Sequence, residues 1–408
     1  MKCRHCHAPL SLPFIDLGTS PPSNAYVTQA QLAAPEKWFP LRVFACTNCW
    51  LVQTEDYAHH AELFAGDYAY FSSFSQSWLA HAEAYVGSMA QRFDLGPTSL
   101  VVEVASNDGY LLQYVKARGI PCLGVEPTAG TAQAARDKGI EVREAFFGVD
   151  LAEQLVAVGR AADLTAANNV LAHVPDINDF VAGFAHLLKP SGVATFEFPH
   201  LMRLVAEAQF DTVYHEHFSY LSLTAVQRVF SHNGLAVFDV EEISTHGGSL
   251  RVFAQRADTR AYESTPAVAA LLAREAAAGV ASAAYYGSLQ ERAERIKDDL
   301  VLFLIEAKRA GKKVGAYGAA AKGNTLLNFA GVRPDLLPWV ADRNPAKQGK
   351  YLPGCRIPVV DEARLLAERP DYVLVLPWNL GEEIKSQLNY ARDWGAKFVV
   401  SVPGLEIT

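Results

Sequence analysis

The sequence predicts an α/β protein in three parts: a small metal-held head, a central doubly wound domain and a smaller second sheet of the same kind. Three observations predict it. Four of the six cysteines fall in two Cys-x-x-Cys pairs near the amino terminus. Short apolar runs alternate with helical spacing from about residue 100 to residue 253. The alternation restarts at Val314 after a long helix. The expected boundaries are 1–66, 67–281 and 282–408.

The head comes first. Cys3-x-x-Cys6 and Cys46-x-x-Cys49 each have the spacing with which two thiolates grip one side of a tetrahedral zinc ion. The pairs stand 39 residues apart, so they close a short domain whose core is too thin to hold alone. A redox dithiol is the alternative. A four-cysteine site is closed, so its role is structural. Between the pairs, Pro13, Pro21-Pro22, Pro35 and Pro40 alternate with strand-like runs such as Leu41–Phe44.

Composition narrows the function classes. Half of the residues are apolar, and the net charge is −8 without a Lys/Arg tract, which argues against a nucleic-acid surface. No apolar run follows Met1-Lys2-Cys3, and no stretch reaches the roughly 18 apolar residues of a membrane span. Free thiols, with Cys122 and Cys355 beyond the four, suit a reducing compartment. A cytoplasmic protein is expected.

The central elements follow in order. Trp78–Phe93 has helical spacing; Leu100–Val104 is a buried strand; Tyr110–Ala117 is the next helix. Cys122–Glu126, Ile140–Val142, Ala162–Asn168 and Val193–Phe198 read as strands, with helices at Thr131–Lys138 and Asp179–Leu188. The strands Leu235–Val240 and Leu250–Phe253 then form an antiparallel pair. A helix over Ser282–Ala310 leads to strands at Val314–Tyr317, Trp339–Asp342, Tyr372–Leu376 and Lys397–Val400.

Glu103-Val104-Ala105-Ser106-Asn107-Asp108-Gly109 lies between the first strand and its helix, where a Rossmann-like sheet binds an adenosyl cofactor. The usual loop has an acid and three alternating glycines. Here those positions are Ala105, Asn107 and Gly109. A pyrophosphate needs glycine at the first two, so this loop argues against NAD. S-adenosylmethionine has no pyrophosphate. Glu126, 23 residues after Glu103, ends the second strand, where a carboxylate accepts ribose hydroxyls. Asn168, ending the 162–168 strand, joins the cofactor set. The strand order with a final antiparallel pair is that of a class I methyltransferase. The plainer alternatives are a helix cap for Asn107 and a solvated strand end for Glu126.

Tyr214-His215-Glu216-His217 is the densest titratable cluster. It lies between the 193–198 and 235–240 strands, toward the ligand face. His215 and His217 share a face only on a strand, and no strand pattern is present, so acid–base chemistry is favoured over metal binding. His173, after the 162–168 strand, is a second candidate. His246-Gly247-Gly248 is a third, a tight loop whose backbone can approach a ligand. In the last unit, Gly318-Ala319-Ala320-Ala321-Lys322-Gly323 between strand and helix reads as an anion site of backbone amides and one ammonium.

Taken in order, the knuckles, Tyr68-x-Tyr70-x-Ser72-Ser73, the Glu103–Gly109 loop, Tyr214–His217, His246-Gly247-Gly248 and Gly318–Gly323 resemble the sugar C-methyltransferases of deoxysugar biosynthesis. The resemblance spans essentially the whole chain. It implies a zinc-binding head, a central class I S-adenosylmethionine domain and a C-terminal Rossmann-like domain that helps hold a nucleotide-linked sugar. It implies His217 as general base, with Tyr214 and Glu216 in the same motif, and His173 and Tyr68 facing the substrate; Tyr70 stands two residues on as an alternative to Tyr68. His215 receives no role. The substrate it implies is a nucleoside-diphosphate 4-keto-6-deoxy sugar, thymidine diphosphate by default, methylated at C3. His246, Gly247 and Lys322 are then substrate contacts, S-adenosylmethionine and zinc are the cofactors, and no nucleic acid or membrane partner is expected. An O-methyltransferase is the main rival; an NAD oxidoreductase or a non-enzymatic zinc-ribbon protein are weaker ones.

Overall fold

The computed structural model describes residues 1–57 and 71–408. Tyr68 and Tyr70 lie outside the described residues. Among those described, three sheets organise the chain.

The head sheet contains β1 (Leu12–Ser20), β2 (Phe39–Ala45) and β3 (Val52–Thr54), paired antiparallel in that order. The next strands, β4 (Val101–Val104), β5 (Cys122–Val125), β6 (Val142–Arg143), β7 (Ala162–Asn168) and β8 (Leu188–Pro199), belong to the central sheet. The short β9 (Ser219–Tyr220) leaves the central region and pairs with β3, so the head sheet has four strands and ends on a piece of the chain just past His217. Adding β10 (Leu235–Ile243) and β11 (Ser249–Arg256) gives a seven-stranded central sheet in the order β10-β11-β8-β7-β4-β5-β6. Its β4–β8 core is parallel, and β11 runs antiparallel to both β8 and β10. This is the order expected of a class I methyltransferase.

Helices cover this sheet for readable reasons. Along α1 (Gln76–Arg92), Ala82, Tyr85, Val86 and Met89 recur at helical spacing and are buried, and Ser75 accepts from the Trp78 amide as N-cap. The helices α2 (Leu112–Ala117), α3 (Ala129–Asp137) and α4 (Val149–Ala157) follow; α4 was not anticipated in the sequence. Asp176 caps α5 (Ile177–Leu187), and Ser222 caps α6 (Leu223–His232). The alanine-rich segment forms α7 (Pro266–Ala278), with Pro at its start and left-handed Gly279 just past its end.

The helix expected over Ser282–Ala310 is interrupted. Ala283–Gly287 is a tight 3₁₀ turn, and α8 runs from Leu289 to Arg309. Gly287 is a weak helix former, and Tyr286 is buried beneath the head, stacked on Trp50 at 6.0 Å, which fixes the turn. Strands β12 (Val314–Tyr317), β13 (Val340–Ala341), β14 (Val359–Val360), β15 (Tyr372–Val375), β16 (Lys397–Val400) and β17 (Glu406–Ile407) form the third sheet, with α9 (Ala321–Phe329) after β12.

The head does not stand alone. Phe14, Ile15, Leu41 and Val43 share one core with Phe210 and Val213, with Leu300 and Leu304 of α8, and with Ala316 of β12. On its other side Cys3, Cys46, Cys49 and Leu51 pack into the core built on Phe180, Phe184 and Phe196. The head is a wedge whose apolar surface is divided between its two neighbours.

Candidate functional site

The metal site is built as the spacing predicts. Sγ atoms of Cys3, Cys6, Cys46 and Cys49 lie within 4.8 Å of one another. The pairs Cys3–Cys49 and Cys6–Cys46 are each 3.5 Å apart. Tetrahedral zinc with four thiolates needs about 3.8 Å between sulfurs, so the residues fit the ion. The neighbouring Cys49 sulfur pushes Cys3 down, the direction that favours the thiolate a metal ligand needs. Gln53 Nε2 donates to Cys3 Sγ at 3.2 Å, the outer contact that orients a metal ligand.

The cofactor loop explains its own departures from glycine. Ala105, Asn107 and Gly109 all take left-handed φ, at 56°, 49° and 75°. Asn tolerates this conformation, whereas Ala is strained by about 1–2 kcal/mol. A Cβ at Gly109 would lie 2.4 Å from Ile140 Cδ1, so only that position demands glycine for space as well. Glu126 accepts from the amides of Asn107 (3.0 Å) and Thr128 (2.9 Å), which fixes the carboxylate at the end of β5. Its remaining lone pairs suit ribose hydroxyls. The Glu103 carboxyl and the Asn168 side chain are buried without a well-formed hydrogen bond among the described residues, and the Tyr110 hydroxyl is the polar group beside both. Burial pushes Glu103 well above the usual carboxylate range. A buried carboxyl without a cationic partner among the described residues and an under-satisfied amide suit a cationic, polar cofactor such as S-adenosylmethionine.

The catalytic candidates converge. His217 is 9% exposed. Its Nδ1 lies 2.8 Å from the Thr212 carbonyl and its Nε2 lies 2.7 Å from Tyr214 Oη. The His173 ring stands edge-on to it at 4.6 Å. Burial, with His173 alongside, pushes His217 well below the usual imidazole range, and burial pushes His173 down to about 4. Both rings are therefore neutral at pH 7. Tyr220, on β9, adds a third ring at 5.9 Å, and its hydroxyl is buried beside the Tyr214 backbone.

Glu216 does not orient His217. Its Oε1 accepts from the amide and the side-chain nitrogen of Asn24 in the head, at 3.3 and 3.2 Å, and Oε2 is without a partner among the described residues. The backbone geometry separates the two: the turn sends His217 back to Thr212 and Glu216 toward the head. His215 turns to β2, where its Nε2 donates to the Pro40 carbonyl at 3.2 Å and its ring meets Phe39 edge-on.

His246 has φ 56°, and its Nε2 accepts from Asn169 Nδ2 at 3.2 Å. What closely approaches Gly247 is protein: an added Cβ would lie 2.5 Å from the Trp378 ring. In the 318–323 loop, the amides of Gly318, Ala319 and Ala320 are bonded to the Ala341 carbonyl, to Asp342 Oδ2 and to the Gly318 carbonyl. The expected cradle of amides is thus reduced to Lys322 and the first turn of α9. Lys322 Nζ donates to Asn379 Oδ1 at 2.9 Å and sits 4.5 Å from the centre of the Trp378 ring. Burial pushes Lys322 down to about 8.

Sequence reasoning missed Thr212, Asn24, Tyr220, Asp211 and Trp378. Trp378 alone carried a usable signal, since it follows β15 at the carboxyl edge where α/β sheets bind ligands. It also missed Glu197, buried between His81 (2.8 Å) and Arg251 (2.7 Å).

Comparison with known proteins agrees with this layout. Family models match for a zinc binding domain (residues 3–64), a methyltransferase domain (79–240) and a C-methyltransferase C-terminal domain (244–403). C-methyltransferase NovU of Streptomyces niveus is 34% identical over 402 residues, covering 98% of this chain and 95% of NovU. Among solved structures, PH0226 protein of Pyrococcus horikoshii is 13% identical over 49% of this chain and 100% of its own, with TM-score 0.37. Magnesium protoporphyrin IX methyltransferase of Synechocystis with bound SAH is 15% identical over 48% and 93%, with TM-score 0.35.

Proposed function

Because the chain belongs to the C-methyltransferases, which use S-adenosylmethionine and here carry a zinc-binding head, we propose that it methylates C3 of a nucleoside-diphosphate 4-keto-6-deoxy sugar. The observation that carries this reading is the state of His217. Thr212 offers only a carbonyl, so Nδ1 bears the hydrogen and Nε2 keeps its lone pair. A neutral imidazole with a fixed tautomer is a base suited to a carbon acid beside a ketone.

In the proposed reaction the C4 ketone acidifies the C3 proton. His217 Nε2 takes that proton, the C–H electrons form the C3=C4 double bond, and charge moves to the C4 oxygen. Tyr214 Oη, now bonded to Nε2 at 2.7 Å, turns to the substrate as the ketone enters. Tyr214, His173 and Tyr68 or Tyr70 supply hydrogen bonds to the oxyanion. The imidazolium forms in a buried site, and the enolate charge created in the same step balances it. S-adenosylmethionine, when bound, would supply the methyl group to C3, its sulfonium leaving as the neutral thioether. Glu103, Ala105, Asn107, Gly109, Glu126 and Asn168 hold it. Glu216 Oε2 holds a sugar hydroxyl, His246 and Gly247 line the sugar site, and Lys322 takes diphosphate charge.

Three domains, divided at 66/67 and 281/282, are part of this reading. The test is incubation of the zinc-loaded enzyme with S-adenosylmethionine and a panel of nucleotide-linked keto-sugars, read by product mass and NMR. A product carrying the new methyl on oxygen would defeat the proposal.

A further inference from the structure

Asp211 is completely buried, and its Oδ2 accepts from Trp378 Nε1 at 2.7 Å. The two residues are 167 positions apart and belong to different sheets' surroundings. Asp211 immediately precedes Thr212, whose carbonyl fixes the His217 tautomer. The rim of the same indole rests on Gly247, beside His246, where even a Cβ would not fit. One face of the ring meets the Lys322 ammonium. Three features of the site, Asp211, Gly247 and Lys322, therefore meet one side chain contributed by the C-terminal unit.

We infer that Trp378 is a positioning residue of the active centre: through Asp211 it locks the 210–217 turn that presents His217, while its ring seats Lys322 against the same turn. The inference rests on the C-methyltransferase reading given above. A tryptophan that merely filled space would not need its N–H on a carboxylate. A buried carboxylate left without that donor loses a charge-assisted hydrogen bond, and the turn it belongs to loses its anchor.

The experiment uses full-length enzyme with zinc and the best keto-sugar of the panel, following deuterium exchange at C3 without S-adenosylmethionine. Trp378→Phe keeps a ring for Lys322 and removes only the N–H. Its exchange kcat is expected to fall about 10- to 100-fold, with KM changed less than about threefold and cofactor affinity retained. Asp211→Asn keeps an acceptor for the indole N–H and removes its charge, so its exchange is expected to fall in the same direction but less, and the double variant no further than Trp378→Phe alone, because Asp211 acts through that bond. In ¹H–¹⁵N spectra the indole resonance lost in Trp378→Phe should shift in Asp211→Asn. Unchanged exchange in Trp378→Phe, or a double variant falling by the product of the singles, overturns the inference. If Trp378→Phe fails to bind cofactor, Asp211→Asn decides alone, and unaltered exchange there overturns it. Should wild type exchange no sugar, the reading of the reaction fails; the indole shift still tests the Trp378–Asp211 link, and its absence overturns that too.

Discussion

His217 Nδ1 faces the carbonyl oxygen of Thr212 at 2.8 Å, five residues back along one tight turn. A carbonyl only accepts, so this contact chooses the tautomer and leaves Nε2 as the acceptor toward Tyr214. Local backbone thereby sets the tautomer that the proposed base requires.

His217→Asn removes that base while keeping a donor near Thr212. Methylation and C3 exchange should fall by about 10² to 10⁴, and cofactor affinity should hold. Tyr214→Phe should cost less, about 10- to 100-fold, because Nε2 survives. Exchange kinetics and calorimetric cofactor titration check both. Normal turnover in His217→Asn would remove it from the role.

Zinc removal should reach further than the head's own stability. Gln53 links Cys3 to β3; Thr54 Oγ1 donates to the His217 carbonyl at 3.1 Å. Arg4 donates to the Pro175 carbonyl and His5 bonds Asn178, just beyond His173. Chelation, or Cys46→Ser, should lower the melting temperature and reduce kcat of exchange along with sugar affinity. A chelated enzyme with lowered stability but full kcat would show the head to be a passive support.

Lys322→Ala should weaken nucleotide-sugar binding more than it slows saturated turnover. The comparison is KM and kcat, with binding of the free nucleoside diphosphate measured beside them. An unchanged affinity would take Lys322 off the diphosphate.

The acid limb of activity should lie well below pH 6.5, because His217 and His173 are held neutral by burial. Asp211, pushed up to about 6 by burial, is a second group in range, and Asp211→Asn separates the two. A limb at the ordinary imidazole value persisting in Asp211→Asn would contradict the burial argument. Stability follows the same sign. His173 titrates at about 4 folded and 6.5 unfolded, so between these values the unfolded chain binds more protons and stability falls as pH falls. Glu216 and Asp211, with raised carboxyls, run the other way. The melting-temperature difference between wild type and His173→Asn should therefore narrow or reverse from pH 7 to pH 4.5.

The sequence by itself determined the features whose cause is local. Two Cys-x-x-Cys pairs predict four converging sulfurs because ligand spacing is a short-range constraint. The Glu103–Gly109 loop could be matched to a cofactor because strand, turn and helix follow one another directly. The central strand order was legible because most of its strands are apolar runs separated by segments of helical spacing. Tertiary structure alone decided the rest. The two-residue β9 is too short for any periodic signal, yet its pairing with β3 ties the zinc head to His217. Glu216 turned to Asn24 because the head lies there, a contact across 192 positions. The head's shared cores, the Trp378–Asp211 bond and the spent amides at 318–320 likewise depend on which distant surfaces bury each other. Burial then set the charge states: desolvation and the neighbouring His173 push the His217 imidazole well below its usual range, against the opposing pull of the Thr212 carbonyl.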